Sequence, residues 1–226
     1  MVRHFFLIII LLTGTGCATG GSVQVDRGEE VLAKSEKVVP SFDRIPYDPI
    51  DPGKPAEFAF DEEATILEAE GQRCFAKGFV LPELKGAISV SISSFKAGTH
   101  RDPSIMYPEV RLLDKDYKVT RTLPHKEFVF RWLGYEEEGL NAVLFLNNRD
   151  QRETFLLITN RRMDEASLIS SQDDSQGMVP VAVAFPGGFF MWFVPTGKST
   201  PPMKMKASPT GKMRVEIKEY RPQKVK

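Results

Sequence analysis

Short segments in which apolar and polar residues alternate dominate the chain after residue 55. The clearest spans residues 87–93, where Ile88, Val90 and Ile92 alternate with three serines. A period of two places successive side chains on opposite faces of a β-strand, so this segment predicts a strand with one buried and one hydrated face. The same pattern predicts strands at residues 65–68, 73–81, 105–113, 118–123, 128–132, 142–146, 154–159, 189–194 and 213–218.

The spacing of these segments predicts an all-β fold. No recurrent helical pattern of about 10–15 residues separates them, which favours an antiparallel β-sandwich, jelly-roll-like, over alternating strands and helices. The polar residues 147–150 lie between two predicted strands and are typical of a hairpin turn. We expect one domain, spanning residues 56–226.

The amino terminus is typical of a signal peptide covering residues 1–16. Arg3 and His4 precede an apolar run at residues 5–12, and small residues follow. Those eight apolar residues are far fewer than the roughly 20 of a membrane-spanning helix. Removal of this segment is therefore expected.

Cys17 directly follows the small residues, where a lipoprotein signal places its acylated cysteine. Gly14 departs from the branched apolar residue usual three places before it, and ordinary cleavage nearby is the alternative. Acyl chains on Cys17 would hold the protein on a bilayer. Since Ala18 follows in place of an acidic residue, the expected location is the outer membrane, facing the periplasm.

Residues 17–55 are predicted to form a disordered, lipidated tether. They are rich in Gly, Ser, Pro and charge, and Pro46, Pro49 and Pro52 disfavour both helix and central strand.

Charge is balanced over the whole chain, with 30 basic and 30 acidic residues. Residues 201–226 depart from this balance, because they hold eight basic and two acidic residues. This basic tail has two interpretations, contact with anionic lipid or polymers and pairing with the acidic part of its own domain. Nucleic acid is not an expected partner of an exported chain without a basic excess.

The sequence offers little catalytic chemistry. Once Cys17 is acylated, Cys74 is the only other cysteine, so no disulfide forms within the chain, and Cys74 is interpreted as a small buried apolar residue. His100 and His125 lie in polar, turn-like contexts, and no nucleophile, zinc or phosphate-binding motif is present. We expect no enzyme and no cofactor.

Three acidic groups admit a calcium interpretation, since oxygen ligands from loops suffice for that ion. Solvated turn charges are the simpler interpretation, and no metal site is predicted. The groups are residues 61–63, residues 136–138, and Asp114 with Asp116.

An aromatic run at residues 187–195 supplies the candidate ligand-binding residues. If Phe189, Met191 and Phe193 fill the core, then Phe190 and Trp192 point outward. Outward aromatic rings on a sandwich bind sugar rings or other proteins through flat apolar faces. The alternative is a central strand buried on both faces.

Three segments resemble a known family when taken in order. They are residues 104–117, in which Tyr107 and Pro108 precede an alternating strand that ends in Leu113 and Asp114, residues 47–51, and residues 78–82. Together they resemble the maltose operon periplasmic protein family over roughly residues 45–160. The resemblance implies a periplasmic role near the envelope or carbohydrate uptake and transfers no catalytic residues. The cysteine at position 17 and the short basic tail depart from the family.

The function predicted from these features is that of a non-catalytic envelope lipoprotein. It is a binding or assembly module that contacts saccharide or an envelope protein. The alternative is a structural accessory subunit of an envelope complex with no small ligand.

Overall fold

The computed structural model describes residues 21–69, 71–83, 86–99, 101–134, 137–147, 152–160, 169–171, 178–185, 188–195 and 203–219. Within these ranges the chain forms one α-helix, α1 (Gly21–Lys34), and single 3-10 turns at Phe42–Arg44 and His125–Glu127. The strands are β1 (Val38–Val39), β2 (Tyr47–Pro49), β3 (Ala56–Phe60), β4 (Thr65–Ala69), β5 (Gln72–Val80), β6 (Ile88–Thr99), β7 (Asp102–Met106), β8 (Pro108–Leu113), β9 (Val119–Leu123), β10 (Val129–Gly134), β11 (Glu137–Leu146), β12 (Phe155–Asn160), β13 (Ile169–Ser171), β14 (Met178–Phe185), β15 (Gly188–Pro195), β16 (Met203–Ser208) and β17 (Gly211–Glu219).

Fifteen of these strands form two sheets that pack as a sandwich, which confirms the predicted all-β sandwich, and β14 and β15 form a separate two-stranded sheet. Sheet 1 has the order β1-β4-β5-β12-β8-β9, and β2 also pairs with β5. Sheet 2 has the order β10-β11-β6-β7-β16-β13, and β17 lies between β6 and β3. Both sheets are mixed and not wholly antiparallel as predicted, because β1 with β4, β2 with β5, and β7 with β16 are parallel pairs.

The core lies between the sheets and follows the alternation in the sequence. Ile88, Val90 and Ile92 are buried in it, whereas Ser89 and Ser91 on the other face of β6 are partly exposed. A second apolar cluster covers the opposite face of sheet 1; its buried members are Ile45, Leu67, Ala76, Leu113 and Leu157.

Residues 105–113 form two strands in place of the one predicted. The chain leaves sheet 2 at Met106, and β8 begins in sheet 1 at Pro108. Tyr107 at the crossing is buried, and its hydroxyl donates to the carbonyl of His125 at 2.8 Å. Since Pro108 has no amide hydrogen, the ladder of sheet 2 cannot continue through it in the usual way.

The hairpin predicted at residues 147–150 is also wrong. The strand before it, β11, belongs to sheet 2, and the strand after it, β12, belongs to sheet 1. This connection therefore crosses from one sheet to the other; residues 148–150 themselves lie outside the described part of the chain.

The tether was predicted over residues 17–55; residues 21–55 of it are folded onto the domain, and residues 17–20 lie outside the described part. Leu32 of α1 is buried in the core, and Ile45 and Ile50 are each 4% exposed. The guanidinium of Arg73 caps the end of α1, because its Nη1 donates to the carbonyls of Leu32, Ala33 and Ser35 at 3.4, 3.2 and 3.4 Å. Apolar side chains among the prolines therefore pack against sheet 1 instead of remaining in water.

The basic tail predicted at residues 201–226 is largely part of sheet 2. Its side chains at Met213, Val215 and Ile217 in β17 are fully buried. Lys212 and Arg214 of the same strand form ion pairs with Glu57 of β3, at 3.0 and 2.7 Å. The interpretation that these basic residues pair with their own domain holds for this strand, and residues 220–226 lie outside the described part.

A substitution at Gly139 can test how closely the backbones of β11 and β6 approach each other. A Cβ at Gly139 would lie 2.0 Å from the carbonyl oxygen of Ser94, a backbone atom that cannot rotate away. We expect Gly139→Ala to lower the free energy of unfolding by about 1–3 kcal/mol, as measured by urea denaturation. Gly86→Ala is the matched control, since nothing lies within 4 Å of its added Cβ. Equal stability of the two variants would contradict this close approach.

Candidate functional site

Three aromatic rings from distant parts of the sequence meet on the outer face of sheet 1. Tyr47 lies on β2, Tyr117 lies in the β8–β9 turn, and Phe155 begins β12. The Tyr117 and Phe155 rings are stacked, with centroids 4.7 Å apart and an interplanar angle of 7°, and the Tyr47 centroid lies 4.6 Å from that of Phe155. All three side chains are partly exposed. We call these three residues the aromatic group.

The turn before β9 positions Tyr117. Asp114 accepts hydrogen bonds through Oδ1 from the amides of Asp116 and Lys118, at 2.8 and 2.9 Å. Tyr117 has a φ of 59°, a left-handed conformation that costs a bulky residue about 1–3 kcal/mol. The Asp114 hydrogen bonds and the stacking on Phe155 offset that cost and hold the ring at the surface.

Gly78 provides the space for Tyr47. A Cβ at this position would lie 2.5 Å from Cδ1 of the Tyr47 ring. The bare backbone of β5 therefore lets the ring lie close to the sheet. Nearby, the Arg111 guanidinium lies over the ring of Phe42, 5.6 Å from its centroid, and extends the apolar surface with a cation.

Polar groups border the aromatic group. The hydroxyl of Tyr47 donates to the carbonyl of Phe42 at 3.0 Å, and Asp43 accepts a hydrogen bond from Ser41. The pKa of Tyr47 is raised, chiefly by burial and further by Tyr117 and Asp43. The side chain of Asp43 is 50% exposed and forms an ion pair with Arg44 at 3.6 Å, so a partly exposed, paired carboxylate lies near these hydroxyls.

Flat apolar faces beside a carboxylate and hydroxyls can contact a ligand through both apolar packing and hydrogen bonds. Rings present apolar area with few rotatable bonds, and the bordering oxygens accept or donate hydrogen bonds.

Within the described ranges, no group of three or more His, Cys, Asp or Glu side chains is arranged to hold a metal ion. Two of the acidic residues considered as calcium ligands have other partners. Asp114 accepts hydrogen bonds from backbone amides through Oδ1, and Glu62 forms an ion pair with Arg27.

The structure does not test the site residues predicted from sequence, which are Cys17, Phe190 and Trp192. Cys17 lies outside the described residues. Phe190 and Trp192 lie on β15 opposite Val183 and Val181 of β14, and their side chains lie outside the described part. Among the described strands, β15 pairs with β14 only.

A second surface lies on the outer face of sheet 2. Val129, Val143 and Phe145 are 59%, 41% and 56% exposed. Between them Asn141 is 5% exposed; its amide Nδ2 donates to the hydroxyls of Ser91 and Ser93 at 3.0 and 2.9 Å. Its Oδ1 has no hydrogen-bond partner among the described residues. This face combines exposed apolar side chains with small polar ones.

Comparison with known proteins adds no relative for this chain. No protein-family model matches it, and no curated protein or solved structure is significantly similar to it. Among the described helices, none is long and apolar enough to cross a membrane.

Cys74 packs against the second apolar cluster, as Tyr47 and Phe155 do, and gives a test of that packing. Burial raises the pKa of the thiol from 9.0 to about 11. In a Cys17→Ser variant, whose only thiol is Cys74, we expect Ellman's reagent at pH 8 to label the native protein about 100-fold more slowly than the denatured one.

The raised pKa of Cys74 also sets how the stability of the folded state depends on pH. The folded state favours the neutral thiol, so this contribution is present below the unfolded pKa of 9.0 and is lost as pH rises towards 11. Equal labelling rates of native and denatured protein would show that Cys74 is accessible and that the packing described here is wrong.

Proposed function

We propose that this protein is a non-catalytic envelope lipoprotein that binds saccharide through the aromatic group. The observation that carries the proposal is the stacked pair of Tyr117 and Phe155 with Tyr47 beside it at a partly exposed sheet face. A sugar ring packs its C–H face against such rings and excludes water from both.

The polar border supports the same ligand class. A saccharide also needs hydrogen-bond partners for its hydroxyls, because a polar group that is desolvated without a partner costs free energy. The half-exposed carboxylate of Asp43 already accepts from Ser41 and pairs with Arg44, and its remaining lone pairs accept hydrogen bonds more strongly than a neutral acceptor. The resemblance to maltose operon periplasmic proteins, which implies a role near carbohydrate uptake, agrees with this ligand class.

A structural accessory subunit is the second candidate function. The observation in its favour is the outer face of sheet 2, where Val129, Val143 and Phe145 expose apolar area around the buried amide of Asn141. Exposed apolar patches with polar rims are typical of protein–protein contacts. An envelope protein is the partner that this surface would contact. Phe190 and Trp192 stay a sequence-based prediction for ligand contact.

Outer-membrane attachment through Cys17 belongs to the proposed function and is tested separately. We expect the processed protein to carry acyl chains on Cys17, detected by mass spectrometry of its first peptide, and to stay in the membrane fraction after an alkaline carbonate wash. Cys17→Ser should remove the acyl mass and release the protein into the wash. Retention of Cys17→Ser through that wash would count against a lipid anchor at this residue.

Saccharide binding is tested by titration calorimetry with maltoheptaose and with a chitin oligomer as separate probes. We expect one of them to bind and Tyr117→Ala to weaken that binding at least about tenfold, because the stacking surface is lost. Tyr117→Phe should keep most of the affinity, since it keeps the ring.

The control for this titration is Phe145→Ala. Phe145 is an exposed aromatic residue on the other sheet, so its loss should leave saccharide affinity unchanged. If neither probe binds, or if Tyr117→Ala binds as the parent does, the aromatic group is not a site for these saccharides.

A further inference from the structure

The hairpin of β14 and β15 stands apart from the two sheets in composition. From Met178 to Pro195 the sequence contains no charged residue and no Ser, Thr, Asn or Gln. Within the described part of the chain its two strands hydrogen-bond only to each other. We call residues 178–195 the apolar hairpin.

The register shows that both faces of this hairpin carry apolar residues. Its eight pairs run from Met178 opposite Pro195 to Phe185 opposite Gly188. Paired residues of an antiparallel ladder share a face, and successive pairs alternate between faces. One face thus holds Val179, Val181, Val183, Phe185, Gly188, Phe190, Trp192 and Val194, and the other holds Met178, Pro180, Ala182, Ala184, Phe189, Met191, Phe193 and Pro195.

Two apolar faces require two apolar surroundings. Strand β6 shows the usual pattern of a sandwich, with Ile88, Val90 and Ile92 on the core face and serines on the other. A domain on which a two-stranded ribbon packs covers only one face of that ribbon. Each large apolar side chain left in water on the other face lacks about 1.5–3 kcal/mol of burial free energy. A two-stranded ribbon alone in water is marginal in stability.

The position of the hairpin in the chain indicates what covers the second face. It lies between β13 and β16, which pair with each other at the edge of sheet 2. Helix α1 packs against β16 and β7 of that same edge. Only residues 18–20 separate α1 from Cys17, a reach of at most about 14 Å. The proposed lipid anchor and the apolar hairpin therefore leave the domain at neighbouring elements.

The charge pattern agrees with a lipid surface. No acidic residue occurs from residue 175 to residue 215, and Lys198 and Lys204 follow the hairpin closely. Each lysine near an anionic bilayer contributes about 1 kcal/mol. Trp192 is of the residue type that is enriched at the boundary between headgroups and acyl chains.

We propose that the apolar hairpin lies in the interface of the bilayer that holds the lipid anchor. It lies at headgroup depth and does not span, because the open edges of a ribbon need hydrogen-bond partners that the hydrocarbon core lacks. It acts as a second, weak membrane contact beside the acyl chains, and two such contacts fix the orientation of the domain. This proposal takes the location of the protein from the proposed function.

The test uses the full mature chain with Cys17→Ser, so that no acyl chain contributes, and with Trp132→Phe, which leaves Trp192 as the only tryptophan. The probe is vesicles of phosphatidylethanolamine and phosphatidylglycerol. We expect the emission of Trp192 to shift to shorter wavelength on vesicle addition and to be quenched by brominated acyl chains. Replacing both Phe190 and Phe193 by Ser should weaken vesicle flotation at least about tenfold.

Phe145→Ser is the matched control and should float as the parent does, because Phe145 lies on the outer face of sheet 2. An unchanged emission with vesicles overturns the proposal, and the quenching experiment needs no hairpin variant to fold. A vesicle-independent dimer that the two Phe→Ser changes dissociate also overturns it, since a second copy then covers the hairpin. Neither result bears on acylation of Cys17 or on saccharide titration, which are measured separately.

Discussion

The register of β6 is the constraint on which both sheets depend. Its first eight residues pair with β11 on one side, and most of that length pairs with β17 on the other, whereas its last four residues pair with β7. Ser94 is fully buried, and its hydroxyl donates to the carbonyl of Met106 at 2.6 Å, at the point where the chain leaves sheet 2 for sheet 1. A shift of one residue would move the serines of β6 into the core, so the pattern of this strand also fixes the crossing.

Local alternation predicts strands well here, but it does not predict which sheet they join. Strands β4, β5, β9 and β12 follow the predicted segments to within two residues, since a period of two is a local property. Sheet assignment depends on distant partners, which is why residues 147–150 and the crossing at Tyr107 were not predictable from pattern alone. Strand β16 was not predicted. Its Met and Lys residues alternate in the sequence, but its basic charge led to its interpretation as part of a basic tail.

The aromatic group illustrates the same limit for function. Its members lie at positions 47, 117 and 155, so only the fold brings them together. Tyr47 stood among prolines that predict an irregular segment, and that segment becomes an edge strand because Ile45 and Ile50 bury apolar area on the sandwich. The aromatic run at residues 187–195, by contrast, is conspicuous because its members are adjacent. Proximity in sequence predicted one aromatic surface, and proximity in space adds another.

The two sheets differ in what covers their outer faces, and this separates the two proposed contacts. On sheet 1, side chains from residues 39–47 lie over the second apolar cluster and contribute Tyr47 to the aromatic group. On sheet 2, the serines of β6 and the charged side chains of β17 make one part of the outer face polar, and Val143 and Phe145 of β11 expose apolar area beside it. Helix α1, next to Cys17, packs on β7 and β16 of sheet 2, whereas the aromatic rings lie on β2, β12 and the β8–β9 turn of sheet 1. The proposed anchor next to α1 and the proposed ligand at the aromatic group therefore lie at different elements, so the two proposals do not compete for the same surface.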